Sequence, residues 1–167
     1  MKADLHCHSH FSDGKHKANF LVERALANDV THLAITDHDC TNVHLGLKAY
    51  QELTIIKGVE ISCVWQNHEL HIVGLSINLQ HAQLEHLLSS QQEKRRQRVR
   101  EIDAKLVKVG IQGLQAYMLD LSAVAQTRSH VADFLVQQQF CKTRKRVFNQ
   151  YLNKNGKAYV DAHWCTL

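Results

Sequence analysis

The sequence lacks proline altogether, whereas average usage near 5% predicts about eight prolines in a chain of 167 residues. It also lacks any apolar run close to the roughly 18 residues that a membrane helix needs, and it is polar from Lys2 onward. We find no signal peptide, low-complexity linker or internal repeat. These absences argue against membrane and linker-rich classes, so we expect a cytoplasmic protein without a membrane partner.

The sequence also lacks a cysteine framework. Its five cysteines form no C-x-x-C pair and their number is odd, which favours reduced thiols over disulfides. Cys7 lies between His6 and His8, but the alternation of side chains along a strand turns it to the opposite face. We therefore interpret Cys7 as a core residue.

What is present is an ordinary globular composition, with 44% hydrophobic and 22% charged residues, in a length that suits one domain with a small insert. The net charge of +4 is uneven, because basic residues concentrate in two runs, 94–100 and 142–146. Such runs suit an anionic substrate, for example a phosphate ester or a nucleic acid. The alternative is that each run is only a solvated helix face.

Hydrophobic periodicity predicts an α/β N-terminal part and a helical remainder. The predicted strands are residues 2–6, Thr31–Thr36, Thr54–Ser62 and Leu70–Leu75, with a hairpin turn at residues 66–67; the predicted helices are Asn19–Asn28, with Asn19 as N-cap, and Thr41–Glu52. This order favours a parallel sheet or barrel. From about residue 80 to residue 156 the pattern is almost wholly helical, with breaks near 110–113 and 120–125.

Side chains that bind metal ions lie where these strands end. They are His6, His8, Asp13, His38, Glu60 and His71. Neutral imidazole suits zinc, manganese or iron, and the dominance of histidine argues against a purely magnesium site. Two neighbouring ions can clamp a phosphoryl group and activate water. The pattern therefore predicts a metal-dependent hydrolase.

Each of these residues has a simpler alternative interpretation. Two histidines spaced as in His6 and His8 occur easily on a surface. Asp39 could cap the helix predicted to follow it, and Glu60 could pair with Lys57. His71 alone would more often be a satisfied polar residue. The conjunction of all the positions at strand ends favours the metal site.

These residues fall in motifs that resemble the N-terminal motifs of the PHP (polymerase and histidinol phosphatase) superfamily. The motifs are Asp4–Ser9, Phe11–Gly14, Leu33–Asp39, Gly58–Ser62 and His71–Gly74. The sequence is similar above all to the TrpH/YciV-like branch, which comprises RNase AM and nucleoside 3′,5′-bisphosphate phosphatases. Arg128–Ala132 resembles the R-P-H-hydrophobic-Ala motif of that branch, with Ser129 in place of its proline.

The resemblance implies part of a distorted (β/α)₇ barrel with an all-helical insert. Residues 1–79 would form the first part of the barrel, residues 80–156 the insert or cap, and residues 157–167 the beginning of a return to the barrel. It also implies two or three divalent ions, for which we expect manganese, with zinc or iron as alternatives. His6, His8 and a bridging Glu60 would bind the first ion, Asp13 and His38 the second, and Glu60 and His71 the third.

The resemblance assigns roles outside the ligand set as well. Asp37 would orient a ligand histidine, and Arg128 and His130 would face the substrate phosphate; for His130 the alternative is a helix-packing role. The implied reaction is hydrolysis of a phosphate ester without a covalent enzyme intermediate. Its substrate would be a nucleotide or short RNA, trimmed 5′ to 3′ or dephosphorylated as a 3′,5′-bisphosphate. The motif at Arg128–Ala132 argues against the histidinol-phosphatase and polymerase-exonuclease branches.

The sequence departs from the family pattern at its C-terminal end. The remaining family ligands, a histidine in Ala-His-Pro and an Asp-x-His pair, are not found; Asp161 and His163 have the second spacing but come too early. We therefore expect either the N-terminal part of a longer protein or a truncated, inactive remnant. The remnant would retain partial metal or nucleic-acid binding. An open barrel edge would favour self-association.

Overall fold

The computed structural model describes residues 1–166, which form two compact units. The first unit contains Met1–Gln92, Ser122–Ala125 and the residues from Trp164 on, and the second contains Glu93–Leu121 and Gln126–His163. Each unit has its own cluster of buried apolar side chains. None of the helices in residues 1–166 combines the length and the apolar character needed to cross a bilayer.

The first unit is built on a five-stranded sheet. Its strands are β1 (Ala3–Cys7), β2 (His32–Ile35), β3 (Thr54–Trp65), β4 (His68–Leu75) and β5 (Cys165–Thr166). β1, β2 and β3 are neighbours and run parallel, β4 returns antiparallel to β3, and β5 pairs with β3 in parallel. The predicted α/β architecture with a parallel sheet is therefore confirmed.

The hairpin between β3 and β4 lies where the sequence predicts it. Gln66 and Asn67 have φ values of 47° and 64°. Two successive residues in the left-handed region make a turn whose twist matches that of the flanking strands. The hairpin places β3 and β4 side by side, with Glu60 opposite Val73 and Ser62 opposite His71.

Helix α1 (Ala18–Ala27) lies within one residue of the predicted helix at each end, but its N-cap residue is not the predicted Asn19. Its buried residues Val22 and Ala25 are three positions apart, so both face the core. The helix begins one residue before Asn19, and Lys17 is the N-cap residue, without a side-chain hydrogen bond. Asn19 therefore lies inside the first turn of the helix.

The helix predicted over Thr41–Glu52 is wrong. Only a single 3-10 turn, Asn42–Leu45, forms in this segment. The ring nitrogen Nε2 of His44 lies 2.8 Å from the carbonyl oxygen and 3.2 Å from the amide nitrogen of Gly58. This contact with β3 replaces further helical turns, because it holds the segment against the sheet.

The strand predicted at residues 2–6 forms as β1, but it is exposed, although a strand that begins such a ligand site is expected to be buried. Residues 3–6 are exposed, including Leu5. Within residues 1–166, β1 pairs with β2 along one edge only. It is thus an edge strand of the described sheet, and His6 lies on that accessible edge.

The second unit is helical. Helix α2 (Ala82–Lys108) begins in the first unit and continues into the second, which also contains α3 (Leu114–Asp120), α4 (Arg128–Gln137), α5 (Arg144–Val147) and a π-helical turn (Phe148–Leu152). The breaks predicted near residues 110–113 and 120–125 are present, and a further break after α4 is not predicted. Gly110 and Gly113 adopt φ values of 82° and 99°, which other residues rarely adopt. Residues 158–160 contain no strand.

Candidate metal centre

The six predicted ligands lie on neighbouring strands of the first unit. His6 belongs to β1 and His8 follows it, while His38 follows β2 and forms an isolated bridge with Glu60 of β3. His71 comes from β4, and Asp13 from the loop between β1 and α1. The parallel order of β1 to β3 therefore brings residues distant in sequence to one end of the sheet.

The Glu60 carboxylate lies at the centre of this cluster. Its Oε2 is 2.8 Å from His6 Nε2 and 2.9 Å from His8 Nε2, and its Oε1 is 2.9 Å from His71 Nδ1. His38 Nδ1 is 3.6 Å from Oε2. Glu60 thus contacts four histidines from three segments of the chain, which excludes the alternative in which it simply pairs with Lys57.

The charge of Glu60 is stabilised although the residue is only 4% exposed. Burial alone would raise the pKa of Glu60, but hydrogen bonds to His71, His8 and His6 outweigh burial and hold the pKa well below its usual range. His8 shows the complementary effect. Burial would lower the pKa of His8, whereas the hydrogen bond to Glu60 and the charge of Asp13 raise it.

Asp13 forms the other side of the cluster. Its Oδ1 lies 3.6 Å from His8 Nδ1 and 3.7 Å from His38 Nε2. The loop that presents Asp13 is tight, because the amides of Ser12 and Gly14 both donate to Ser9 O. A side chain at residue 14 would lie 2.1 Å from His8 O, so only glycine fits there.

The donor atoms form three groups in which all ligand atoms lie within 4.8 Å of one another. The groups are His6, His8 and Glu60; His8, Asp13 and His38; and His38, Glu60 and His71. His6 Nε2 and His8 Nε2 are 3.2 Å apart. Ligand atoms around a tetrahedral zinc ion lie about 3.3 Å apart, given bonds of about 2.0–2.1 Å. The donor set and its spacing therefore fit divalent ions.

The groups differ in one respect from the set that the resemblance implies. His8 and His38 each belong to two groups, and the shared residues connect all three groups into one cluster. Asp161 and His163 belong to none of the potential ligand groups found within residues 1–166. Instead, Tyr159 donates its hydroxyl hydrogen to Asp161 Oδ1 at 2.8 Å.

Asp37 is fully buried behind His8. Its Oδ1 accepts hydrogen bonds from the Ser9 amide and the Ser12 hydroxyl, both at 2.7 Å, and its Oδ2 accepts from the Ser9 hydroxyl at 2.5 Å. Ser12 Oγ lies 3.3 Å from His8 Nδ1. Asp37 thus reaches a ligand histidine through Ser12. Sequence reasoning misses both serines, although their position beside the predicted ligands is a usable signal.

Asp39 does not cap a helix, so that alternative is wrong. Its Oδ1 accepts from the Ser62 amide at 2.9 Å, its backbone has φ 46°, and Thr41 is the N-cap of the following turn. Gln91 of α2 supports the same region, because its Nε2 donates to Ser62 O at 2.5 Å. Sequence reasoning misses Gln91, since glutamine is common on exposed helix faces and gives no local signal.

Cys7 faces away from the cluster, as predicted. Its Sγ lies 3.5 Å from Ala34 O, and the residue packs against the apolar core of the first unit. Burial, followed by the charges of Asp4 and Asp37, raises the pKa of Cys7 to about 12. A thiol held neutral in this way is a poor metal ligand.

Arg128 and His130 lie in the first turn of α4, in the second unit. His130 is buried, and its Nδ1 accepts a hydrogen bond from the Thr127 amide at 3.1 Å. The Thr127 side chain accepts in return from the His130 amide, which completes a capping box, and it also accepts from the Ser129 amide. His130 therefore has a structural role in the helix.

Fold and cluster together define an α/β protein with a candidate multinuclear metal centre. Residues 4–162 match the PHP domain family, and the chain belongs to this family. The motifs that resemble this superfamily in the sequence thus lie within a member of it.

Comparison with known proteins gives relatives over nearly the whole chain. This chain is 42% identical to the 5′-3′ exoribonuclease Rnm of Salmonella typhimurium. It is 35% identical to the 3′,5′-nucleoside bisphosphate phosphatase of Chromobacterium violaceum, and each match covers 98% of this chain. A solved amidohydrolase structure from C. violaceum is 34% identical, with a TM-score of 0.89 over 99% of this chain. The chain spans 58%, 59% and 60% of these proteins, respectively.

Proposed function

We propose that the protein is a metal-dependent phosphoesterase that hydrolyses phosphate esters of nucleotides or of short RNA at 5′ ends. The observation that carries this proposal is the convergence of His6, His8 and His71 on the two oxygens of Glu60. A buried carboxylate shared by several imidazoles is a donor set for neighbouring divalent ions. The two relatives support the substrate class, because they are named for RNA and nucleotide substrates.

Each three-donor group would hold one ion, and we expect manganese, with zinc or iron as alternatives. Three protein ligands with an open position are typical of catalytic metal sites, whereas structural sites are closed by a fourth. When bound, such ions would supply Lewis-acid polarisation of a phosphoryl oxygen and activation of water. The groups in this chain therefore support a reactive centre more than a structural one.

We assign the residues of the chain separate roles in metal binding, ligand orientation and substrate contact. Glu60 would bridge ions, because its Oε2 contacts His6 and His8 while its Oε1 contacts His71. Asp37 would orient His8 through Ser12 and keep the Nε2 of His8 directed at Glu60. We further propose that Arg128 and His130 contact the substrate phosphate. Residues 1–79 would form the barrel part of the protein and residues 80–156 its insert.

A pair of histidines on β4 gives the decisive test. His71→Ala removes a proposed ligand, whereas His68→Ala removes an exposed histidine from the same strand that contributes to no ligand group among the described residues. We expect the metal-free His71→Ala protein to regain fewer manganese ions per chain than the parent, and its hydrolysis to fall at least about 100-fold. His68→Ala should match the parent in both.

Metal content by mass spectrometry and release of mononucleotides or phosphate should be measured on the same samples. Equal loss in both variants, or no manganese-dependent turnover in the parent, would contradict the phosphoesterase proposal. Metal uptake without turnover would favour the second candidate, a metal-binding and nucleic-acid-binding protein without catalysis. That candidate would rest on the three-donor groups together with the exposed cations Lys142, Lys145 and Arg146.

A further inference from the structure

A cavity of about 420 Å³ lies in the first unit beside the segment that follows His38. Its walls are residues 39–42, residues 79–80 and the side of α2 from Leu84 to Gln92, with Val124. Small-molecule sites commonly have volumes of about 300–1,000 Å³. This cavity is therefore large enough for a ligand the size of a nucleobase, and the proposed catalytic residues do not line it.

Gln92, in the wall of the cavity, has a buried hydrogen-bond acceptor that a ligand could satisfy. The residue is only 7% exposed, and its Nε2 donates to Asp39 O at 2.6 Å. Because that contact requires a donor, it fixes which end of the amide is nitrogen, and Oε1 must be an acceptor. No residue in the described part of the chain donates to Oε1. A buried acceptor without a donor is costly, so a ligand that supplies a hydrogen would be stabilised here.

The remaining lining has the same chemical character. Asn42, Glu85 and Ser89 add oxygen atoms, while Leu84 and Leu88 provide apolar surface. Neither lysine nor arginine lines this cavity, all of whose walls lie within residues 39–124. A phosphate would thus find no countercharge, whereas a flat, largely apolar group with a donor at its edge would match both surfaces.

We infer that this cavity binds the nucleobase of a nucleotide, and that it favours a base whose exocyclic amino group donates to Gln92 Oε1. Adenine, cytosine and guanine carry such a group. The choice of a nucleotide as the ligand rests on the proposed function, but the preference for a donor rests on Gln92 alone. Such a base-recognition site would complement a metal centre that acts only on the phosphate ester.

The test compares two nucleosides that differ by one amino group. Adenosine carries the exocyclic amine, and purine riboside has a hydrogen in its place. Titration calorimetry with the metal-free chain should show that adenosine binds about tenfold more tightly than purine riboside, the difference that one hydrogen bond to a buried acceptor can give. Equal affinities for the two nucleosides would overturn the inference.

Two neighbouring serines of α2 supply a matched pair of variants. Ser89 lines the cavity and Ser90 does not, and both are exposed. Ser89→Phe should fill the cavity and abolish adenosine binding, whereas Ser90→Phe should bind like the parent. Unchanged binding in Ser89→Phe, or no adenosine binding by the parent at millimolar concentration, would refute the site. Because neither metal nor turnover enters these measurements, their failure is distinct from failure of the phosphoesterase proposal.

Discussion

Glu60 shows how much one residue organises in this protein. A carboxylate that is 4% exposed would be strongly destabilised without partners, because burial removes its hydration. Here imidazole rings surround it, and the rings also pack on one another: His8 and His38 have centroids 4.6 Å apart, and His38 and His71 4.9 Å apart. The cluster is thus preorganised by ring packing as well as by charge, which keeps the ligand atoms together.

His130 allows two roles to be separated by substitution. His130→Ala removes the capping box and should lower the stability by about 1 kcal/mol, since the Thr127 amide loses its acceptor. His130→Gln provides an acceptor at the same helix position and should retain the parent melting temperature. If His130 also contacts substrate, the KM of His130→Gln should rise several-fold while kcat changes little.

Thermal unfolding and steady-state kinetics on both variants measure these effects. The informative comparison is between the two readouts for His130→Gln. Parent-like stability with a parent-like KM would mean that His130 serves the helix alone. A melting temperature as low as that of His130→Ala would show that the amide does not replace the ring in the box.

The candidate ligands could be predicted from the sequence, but the residues that support them could not. His6, His8, His38 and Glu60 belong to short motifs at strand ends, so local pattern and chemistry indicate them together. The contacts of Asp39 with Ser62 and of Gln92 with Asp39 join residues 23 and 53 positions apart. No local pattern encodes such pairs, because they depend on where the strands and α2 come together.

The basic run of α2 carries less accessible charge than its sequence suggests. Arg95 and Arg98 are buried, and they donate to backbone carbonyls of the second unit: Arg95 to Gln126 O at 3.3 Å, and Arg98 to Val160 O at 3.0 Å. These cations therefore hold the helical unit together. They are unsuited to attracting an RNA backbone.

Two further arginines of this run form salt bridges with the same glutamate. Arg96 and Arg100 pair with Glu93 at 2.8 Å and 2.7 Å. The hydrogen bonds from Arg100 and Arg96 lower the pKa of Glu93. In the second run, Arg144 pairs with Asp133, while Lys142, Lys145 and Arg146 are exposed. The exposed trio is thus the better candidate for contact with nucleic acid.

This difference predicts unequal effects of neutralising the two runs. Replacing Lys142, Lys145 and Arg146 by glutamine should weaken the binding of short RNA and reduce the slope of log affinity against log salt by about two, given about 0.7 per phosphate contact on single strands. The control Arg96→Gln/Arg100→Gln should leave the slope unchanged. Fluorescence anisotropy between about 50 and 200 mM salt provides the measurement. Equal slopes for all three proteins would contradict the assignment.

Elements were predictable where local pattern dominates and failed where tertiary contacts decide. The β3–β4 hairpin and α1 follow from alternation and from apolar spacing. The segment after Thr41 has enough apolar residues for a helix, yet the contact of His44 with Gly58 holds it against β3. Tertiary contact thus overrides local helical preference in this connection.

The whole chain combines a sheet unit that contains the candidate centre with a helical unit that contains none of its six proposed ligands. In the metal-free protein, histidine–carboxylate contacts and ring packing hold the centre together. An ion that binds only the folded state raises the free energy of unfolding by about 2.7 kcal/mol when its free concentration is 100 times its dissociation constant. The free energy of local opening should rise most in the elements that supply ligands.

Amide hydrogen exchange shows which elements are stabilised by metal binding. Addition of manganese should slow exchange most in peptides that cover the ends of β1 and β2 and the β3–β4 hairpin, because opening these elements releases the ion. Glu60→Gln keeps the size of the side chain but removes the charge shared by the groups, so it should gain little protection. If Glu60→Gln gained the same protection as the parent, the ions would bind elsewhere. Protection confined to the parent would instead identify the Glu60 cluster as the metal-binding element of the chain.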